Sequence, residues 1–173
     1  MSTPTATETP VTSAALGKAL AGRYLTFGLG PESYGIPVLH IREIIRMPEV
    51  TAVPQMPPYV RGVLNLRGKI IPVIDLRRRF QLAHDSIDER TCVVVVQVTT
   101  ATGGALQMGL VVDCVEEVVT VHPEEIEPPP RFGSTLAADY LLGMAKIKGK
   151  VKTLLDIDKV VAADGLASIA AAA

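Results

Sequence analysis

Short apolar runs, broken every few residues by Gly, Pro or Asp, set the pattern along this chain. Tyr24–Leu29 alternates, with Leu25, Phe27 and Leu29 on one face and Tyr24 and Thr26 on the other, and so reads as a strand. Gly30-Pro31-Glu32-Ser33 supplies a turn. Tyr34–Val38 returns as a strand that Pro37 places at an edge or bends, because proline has no N–H for the ladder. Val38, Ile41 and Ile45 fall near helical spacing, which predicts a helical turn stopped by Pro48. Pro57–Gly62 reads as one short turn, opened by proline and closed by glycine. Val63–Leu66 and Lys69–Ile74 flank Arg67-Gly68, a hairpin whose Gly68 supplies the positive φ that a tight turn needs. Asp75 stands where a helix cap belongs, before Leu76–Phe80.

Thr91–Val98 is a β-branched run of the kind found in strands buried on both faces, and the 99–104 loop turns it into Leu106–Val112. A last hairpin, Met144–Lys148 and Val151–Leu155 about Gly149-Lys150, ends on Asp156. The first twenty residues, rich in Thr, Ser, Ala and Pro, hold no sustained period and are expected to form a loose tail. The Ala-rich 163–173 is a second tail that extends a helix or frays.

These elements recur in order. Gly109 stands 74 positions after Gly35, and Glu117 stands 74 after Glu43. Gly143, Gly149, Lys150 and Asp156 each stand 81 positions after Gly62, Gly68, Lys69 and Asp75. The change from 74 to 81 fits a seven-residue insertion in the Pro- and Glu-rich loop 122–135. Each copy holds about five short strands, too few for an open sheet with protected edges, and closure into a small barrel removes those edges. The expected fold is therefore all-β: two small barrels packed side by side, roughly 34–82 and 90–155, with the N-terminal strand across them and apolar residues continuous through the seam.

Composition narrows the function. Net charge is −1 and aromatic residues make up 4% of the 173 positions. A nucleic-acid binder usually carries a basic excess and stacking platforms. A small-barrel nucleic-acid binder is therefore the weaker of two non-catalytic readings. No apolar run approaches the ~18 residues of a membrane span. No basic stretch followed by an apolar core opens the chain, so a cytoplasmic protein without direct membrane insertion is expected.

Candidate chemistry is sparse. Gly28-Leu29-Gly30-Pro31-Glu32-Ser33 begins like a dinucleotide fingerprint but lacks the third glycine and the following helix. His40, His84 and His122 have no metal-ligand spacing, and Asp156 with Asp158 lacks companion carboxylates. Matched aspartates on two barrels would suit an aspartic protease, but Asp75-Leu76-Arg77 and Asp156-Ile157-Asp158 are not the Asp-Thr/Ser-Gly turns that chemistry requires. Asp75 and Asp156 are read as structural caps, and Cys92 and Cys114 as small buried residues. Arg77-Arg78-Arg79 reads as a solvated helical turn, and the lysines at 146, 148, 150 and 152 as an outward-facing, edge-protecting row. No catalytic residue, metal or cofactor is expected.

Tyr34-Gly35-Ile36-Pro37-Val38, Ile41-Arg42-Glu43-Ile44, Gly62-Val63-Leu64-Asn65-Leu66-Arg67-Gly68, Ile71-Pro72-Val73-Ile74-Asp75-Leu76 and Gly109–Asp113 together resemble the CheW family of bacterial chemotaxis coupling proteins. The similarity runs from about Arg23 to Val161, so a CheW-like domain is expected over 21–162 between tails at 1–20 and 163–173. The Asn-Leu-Arg-Gly block followed by Pro-Val-Ile-Asp-Leu is its most specific part. The resemblance implies two SH3-like five-stranded barrels with short helical turns and a C-terminal helical segment. It implies a scaffold linking chemoreceptors to the CheA histidine kinase in membrane-associated arrays, alongside other copies of its own kind. It also implies a groove between the barrels that takes the tip of a receptor's helical hairpin. The matching positions here are Ile41, Glu43, Ile44, Gly62, Arg67, Val93, Gly109 and Val115. The acid–base order Glu43…Arg67, repeated as Glu117…Lys148, suggests that each pair meets on the surface of its barrel.

Overall fold

The computed structural model describes residues 13–82, 86–99, 103–128 and 140–162. Within them the chain runs α1 (Ser13–Leu20), β1 (Gly22–Leu29), β2 (Glu32–Pro37), β3 (Ile41–Arg46), β4 (Val60–Leu66), β5 (Lys69–Asp75) and α2 (Leu76–Arg79). It continues with β6 (Cys92–Thr99), β7 (Ala105–Val112), β8 (Cys114–Val121), β9 (Ile126–Glu127), β10 (Leu141–Ile147), β11 (Lys150–Leu155) and α3 (Ile157–Ala162). Two sheets result, ordered β3-β6-β7-β5-β4 and β8-β1-β2-β11-β10-β9. Each curls so that its ends meet. Thr51, after β3, bridges back to Val63 of β4, and Arg67 at the β4–β5 turn holds Glu43 of β3. These are the two small SH3-like barrels expected, the first sheet forming barrel 1 and the second barrel 2.

The duplication is visible in the hydrogen-bond register. Val73 pairs with Gly109 between β5 and β7, and Leu154 with Gly35 between β11 and β2, both parallel. Val73 and Leu154 stand 81 positions apart and Gly35 and Gly109 stand 74 apart, the two separations of the repeat. The ladder slips between Val60 and Gly62 in one hairpin and between Leu141 and Gly143 in the other.

The strands are nevertheless shared out differently from the expected 34–82 and 90–155 halves. Each copy lends its first hairpin to the other barrel: β6–β7 joins β3, β4 and β5, while β1–β2 joins β8, β10 and β11. The N-terminal strand β1 does not lie across the barrels but sits between β8 and β2. The exchange gives each hairpin neighbours on both sides and leaves neither as a free edge.

Three apolar layers follow. Leu64, Val73, Val93, Val95 and Val111 fill barrel 1, and Tyr24, Val119, Val121, Ala145 and Leu154 fill barrel 2. Between them, Leu25, Phe27, Leu29 and Ile36 of barrel 2 meet Val94, Val96, Leu110 and Val112 of barrel 1. Alternate residues of β1 and β6 thus face a barrel interior and the seam, which is why Tyr24–Leu29 and Val93–Val96 are buried on both faces. At about 1.5–3 kcal/mol per fully buried aliphatic or aromatic side chain, the seam dominates the energetics of barrel packing.

Four local expectations are corrected. The helical turn expected across Val38, Ile41 and Ile45 is confined to one tight turn at Val38–His40, and Ile41–Arg46 is a strand whose alternation of half-buried and exposed positions has period two. The Ile41/Ile45 spacing is shared by both periodicities, and pairing with β6 decides between them. The Pro57 turn ends at Tyr59, and Val60 already begins β4. Ser13–Leu20, expected to be part of a loose tail, is a helix because Leu16 and Leu20 find the core of barrel 2 to cover. In the lysine row, Lys152 is buried, with Nζ 3.0 Å from Ser33 Oγ and 3.2 Å from Glu116 Oε1. The tails 1–12 and 163–173, positions 129–135 of the loop expected to carry the insertion, and His84 lie outside the described residues.

The arginine triplet is not a solvated turn either. Arg77 is wholly buried. The Arg79 guanidinium lies 4.6 Å from the Tyr59 ring centroid and 4.9 Å from that of Tyr140, and its Nε donates to the Val160 carbonyl at 3.1 Å. Tyr140 stands 81 positions after Tyr59, and Val160 stands 81 after Arg79. One side chain therefore clamps equivalent points of both copies. Arg79→Ala is expected to cost roughly 1–2 kcal/mol, as a desolvated cation–π contact plus a hydrogen bond, with Arg79→Lys recovering part. Urea unfolding checks this, and a cost below about 0.5 kcal/mol would place Arg79 among ordinary surface residues.

Candidate functional site

The two hairpin tips are built alike. Arg67 and Gly68 have φ of 53° and 85°, and Lys148 and Gly149 have 53° and 78°. Both central residues of these turns are left-handed, the conformation that matches hairpin twist. A glycine is ordinary there, whereas a long basic side chain carries a steric cost. Asn65 offsets it in the first turn by accepting from the Gly68 N–H at 2.8 Å.

From that tip Arg67 grips Glu43 with both arms: Nη1 to Oε2 at 2.5 Å and Nη2 to Oε1 at 2.9 Å. Hydrogen bonding to Arg67 holds the Glu43 carboxyl below the usual carboxylate range, outweighing desolvation, with the Arg67 charge acting in the same direction as the hydrogen bonding. The Arg67 side chain remains 74% exposed. In barrel 2, Lys148 Nζ lies 3.9 Å from Glu117 Oε1. That is a looser contact, as expected of a point charge without a fork.

The eight groove positions separate into two groups. Glu43 and Ile44 lie on β3 beside the Arg67 tip, with Ile44 43% exposed. Ile41, at the start of β3, and Val115, on β8 and 74 positions later, are both half-buried against the seam core. These five are accessible surface from both barrels. Val93 is fully buried inside barrel 1. Gly109 lies against it so closely that a Cβ would fall 2.7 Å from Val93 Cγ1. Gly62, at φ 142°, would place a Cβ 2.0 Å from the Thr51 carbonyl oxygen. These three shape barrel 1 from within and line no surface.

A partner position of Ile44 is absent from the sequence-derived set. Val118 is 54% exposed and stands 74 positions after it. Ile70 and Val151, 81 apart, are exposed in the same paired way. The repeat register, extended by one residue beyond Glu43 and Glu117, would have found Val118.

Asp75 does cap α2, its Oδ1 accepting the Arg77 N–H at 3.0 Å. It is also fully buried between two arginines, Arg61 Nε at 2.7 Å and Arg77 Nε at 3.0 Å. Arg77 continues to Asp113 at 2.9 Å, and Asp113 Oδ2 accepts the Gly30 N–H at 2.6 Å. This network crosses from barrel 1 to the β1–β2 turn of barrel 2. Asp156 caps α3 more simply, accepting the Lys159 N–H at 3.3 Å. The position equivalent to Arg77 is Asp158, which accepts the Thr99 N–H instead. Cys92 and Cys114 are free thiols that are half-buried rather than buried as expected, and partial burial pushes Cys92 up from its ordinary value. Among the described residues no group of three His, Cys, Asp or Glu side chains is placed to hold a metal.

Comparison with known proteins agrees with this geometry. The CheW-like domain model matches residues 23–165. The chain is 37% identical over 153 residues to chemotaxis protein CheW of Klebsiella aerogenes, covering 88% of this chain and 89% of that one. It is 30% identical over 150 residues to chemotaxis protein CheW of Treponema pallidum, covering 84% and 85% respectively. Its fold is similar to the scaffolding protein TtCheW from Thermoanaerobacter tengcongensis, with a TM-score of 0.74 and 30% identity over 84% of this chain and 96% of that one. Two exchanged SH3-like barrels, a paired basic tip on each and a family model that spans both place the chain in the CheW family of chemotaxis coupling adaptors.

Proposed function

We propose that the chain links the cytoplasmic tips of chemoreceptors to the regulatory domain of a CheA-type histidine kinase, working in the cytoplasm at membrane-associated arrays. The observation that carries this reading is the bidentate Glu43–Arg67 pair beside exposed Ile44, with a looser copy, Glu117–Lys148, beside exposed Val118. Paired charges next to isolated apolar side chains suit the end of an amphipathic helical hairpin. Its apolar positions would meet Ile41, Ile44, Val115 and Val118, and its carboxylates the held guanidinium. The similar barrels of a kinase regulatory domain would meet the barrels elsewhere. No described helix is long and apolar enough to cross a membrane, so the array attachment would run through the receptors.

The test is reconstitution with a soluble receptor cytoplasmic fragment and the kinase. Adding the chain is expected to raise receptor-controlled kinase autophosphorylation, and Ile44→Asp to remove most of that gain while the variant stays folded. A chain that at saturation binds neither the receptor fragment nor the kinase regulatory domain would sink the proposal.

A further inference from the structure

One mouth of each barrel is closed differently. Tyr24 of β1 and Val93 of β6 hold matching places: Gly35 packs on Tyr24 and Leu154, and Gly109 packs on Val93 and Val73. The chain enters β1 from α1 and enters β6 from residues 86–91. In barrel 2, α1 covers the mouth. Leu16 and Leu20 pack on the interior core, and the Tyr24 hydroxyl donates to the Leu20 carbonyl at 2.7 Å. Gly17 meets the turn that follows β8 so closely that a Cβ would fall 2.1 Å from the Pro123 carbonyl oxygen.

In barrel 1 the corresponding walls are residues 46–50, which follow β3, and residues 86–91. They are joined at one end, where the Met47 N–H donates to the Thr91 carbonyl at 3.2 Å, and a cleft of about 560 Å³ lies between them. Met47 and Val50 line it and pack on the barrel 1 core. Ile87 lines it from the other side and is 49% exposed. Among the described residues, no helix covers barrel 1 at the place where α1 covers barrel 2.

We infer that this cleft seats a short basic amphipathic helix of a partner protein, the counterpart of α1. Shape selects a helix, because the equivalent seat in barrel 2 holds one. Its apolar side chains, four residues apart like Leu16 and Leu20, reach Met47, Val50 and Ile87. A small residue between them allows close approach, as Gly17 does in α1. Charge selects the sign. The cleft is lined by the exposed acids Glu49, Asp88 and Glu89 against exposed Arg46, while the Nε of Arg61 is committed to Asp75. The lining therefore favours lysine or arginine flanks, and Lys18 is the one charged residue of α1 itself. This inference does not depend on the receptor-binding reading, since Glu43, Ile44 and Arg67 take no part in it.

The test uses a hydrocarbon-stapled helical peptide carrying the α1 sequence SAALGKAL with a lysine added at each end. It is titrated into the full, isotope-labelled chain and followed by backbone amide shifts. Saturable shifts are expected at Met47, Val50, Ile87 and Asp88. Affinity is expected to fall about tenfold or more in Ile87→Asp and in the double variant Glu49→Lys/Glu89→Lys. Both variants alter exposed positions, and unchanged spectra away from the cleft show that they fold. Three results would overturn the inference: no saturable shift at about 1 mM peptide, shifts confined to the surroundings of α1 and Pro123, or undiminished affinity in Ile87→Asp.

Discussion

Replacing Arg77 by methionine is expected to lower the unfolding free energy by about 3–5 kcal/mol, the usual cost of breaking a buried ion pair by removing one partner. For a domain of this size that corresponds to a fall in melting temperature of about 10 °C. The guanidinium is 1% exposed and is held by Asp75, Asp113 and the Ser86 carbonyl. Among the described residues no buried side-chain nitrogen or oxygen lacks a partner. Methionine would leave the fully buried Asp75 carboxylate with Arg61 as its one charged partner beside the residue 77 N–H, and would cut the link from α2 through Asp113 to the β1–β2 turn. Urea unfolding at constant m-value measures the cost. A double replacement, Asp75→Leu with Arg77→Met, should cost less than the sum of the two single changes, because their effects are coupled. A loss below about 1 kcal/mol in Arg77→Met would show that water reaches the site and that the network adds little.

The same geometry revises what Asp75→Asn should do. Read as a cap alone, Asp75 could be replaced by asparagine at a cost of at most about 1 kcal/mol. A neutral amide cannot offset the buried Arg77 guanidinium and the partly buried one of Arg61, and about 3 kcal/mol is now expected. Burial by itself would raise the Asp75 carboxyl, but hydrogen bonds from Arg77 and Arg61, with their charges, bring it below the ordinary range. A folded value below the unfolded one contributes stability that is fully present above about pH 4 and is lost as pH falls through the folded value. The parent should therefore lose stability on acidification below that point more steeply than Asp75→Asn.

Arg67→Ala is expected to leave folding nearly intact yet weaken binding to a receptor cytoplasmic fragment about thirtyfold or more, the scale for a charged partner lost from a partly desolvated interface. Glu43→Ala should show a milder form of the same defect, because the guanidinium then loses its orientation but not its charge. The strained turn supplies a discriminating control. At φ 53° glycine is easier to accommodate than arginine, so Arg67→Gly should be at least as stable as the parent while binding no better than Arg67→Ala. Receptor affinity within twofold of the parent in either variant would leave Arg67 as a turn residue with no part in recognition.

Much of the architecture was already legible in the chain. Period-two alternation, turn chemistry at Gly68 and Gly149, and two constant separations between repeated residues determine local strands and the number of barrels. They also place Glu43 opposite Arg67 and Glu117 opposite Lys148, because a repeat preserves contacts as well as residues. Local pattern carries no information about which copy pairs with which. The exchange of hairpins between barrels was therefore decided only by tertiary structure, where both faces of β1 and β6 had to find apolar neighbours. The Ile41/Ile45 spacing suited a helix and a strand equally until β6 supplied hydrogen bonds. Arg77, Arg78 and Arg79 look alike in sequence, and only burial separates an ion-pair centre from a clamp between two tyrosines and a residue bonded to the Pro58 carbonyl. The groove set implied by the family resemblance includes Val93 and Gly109, both buried in barrel 1, and burial of that kind is invisible in a single sequence, which shows that a position is apolar or small but not which side of a sheet it faces. A chain determines its local periods by itself, while the sidedness of a sheet and the partner of a buried charge are set by residues far away along it.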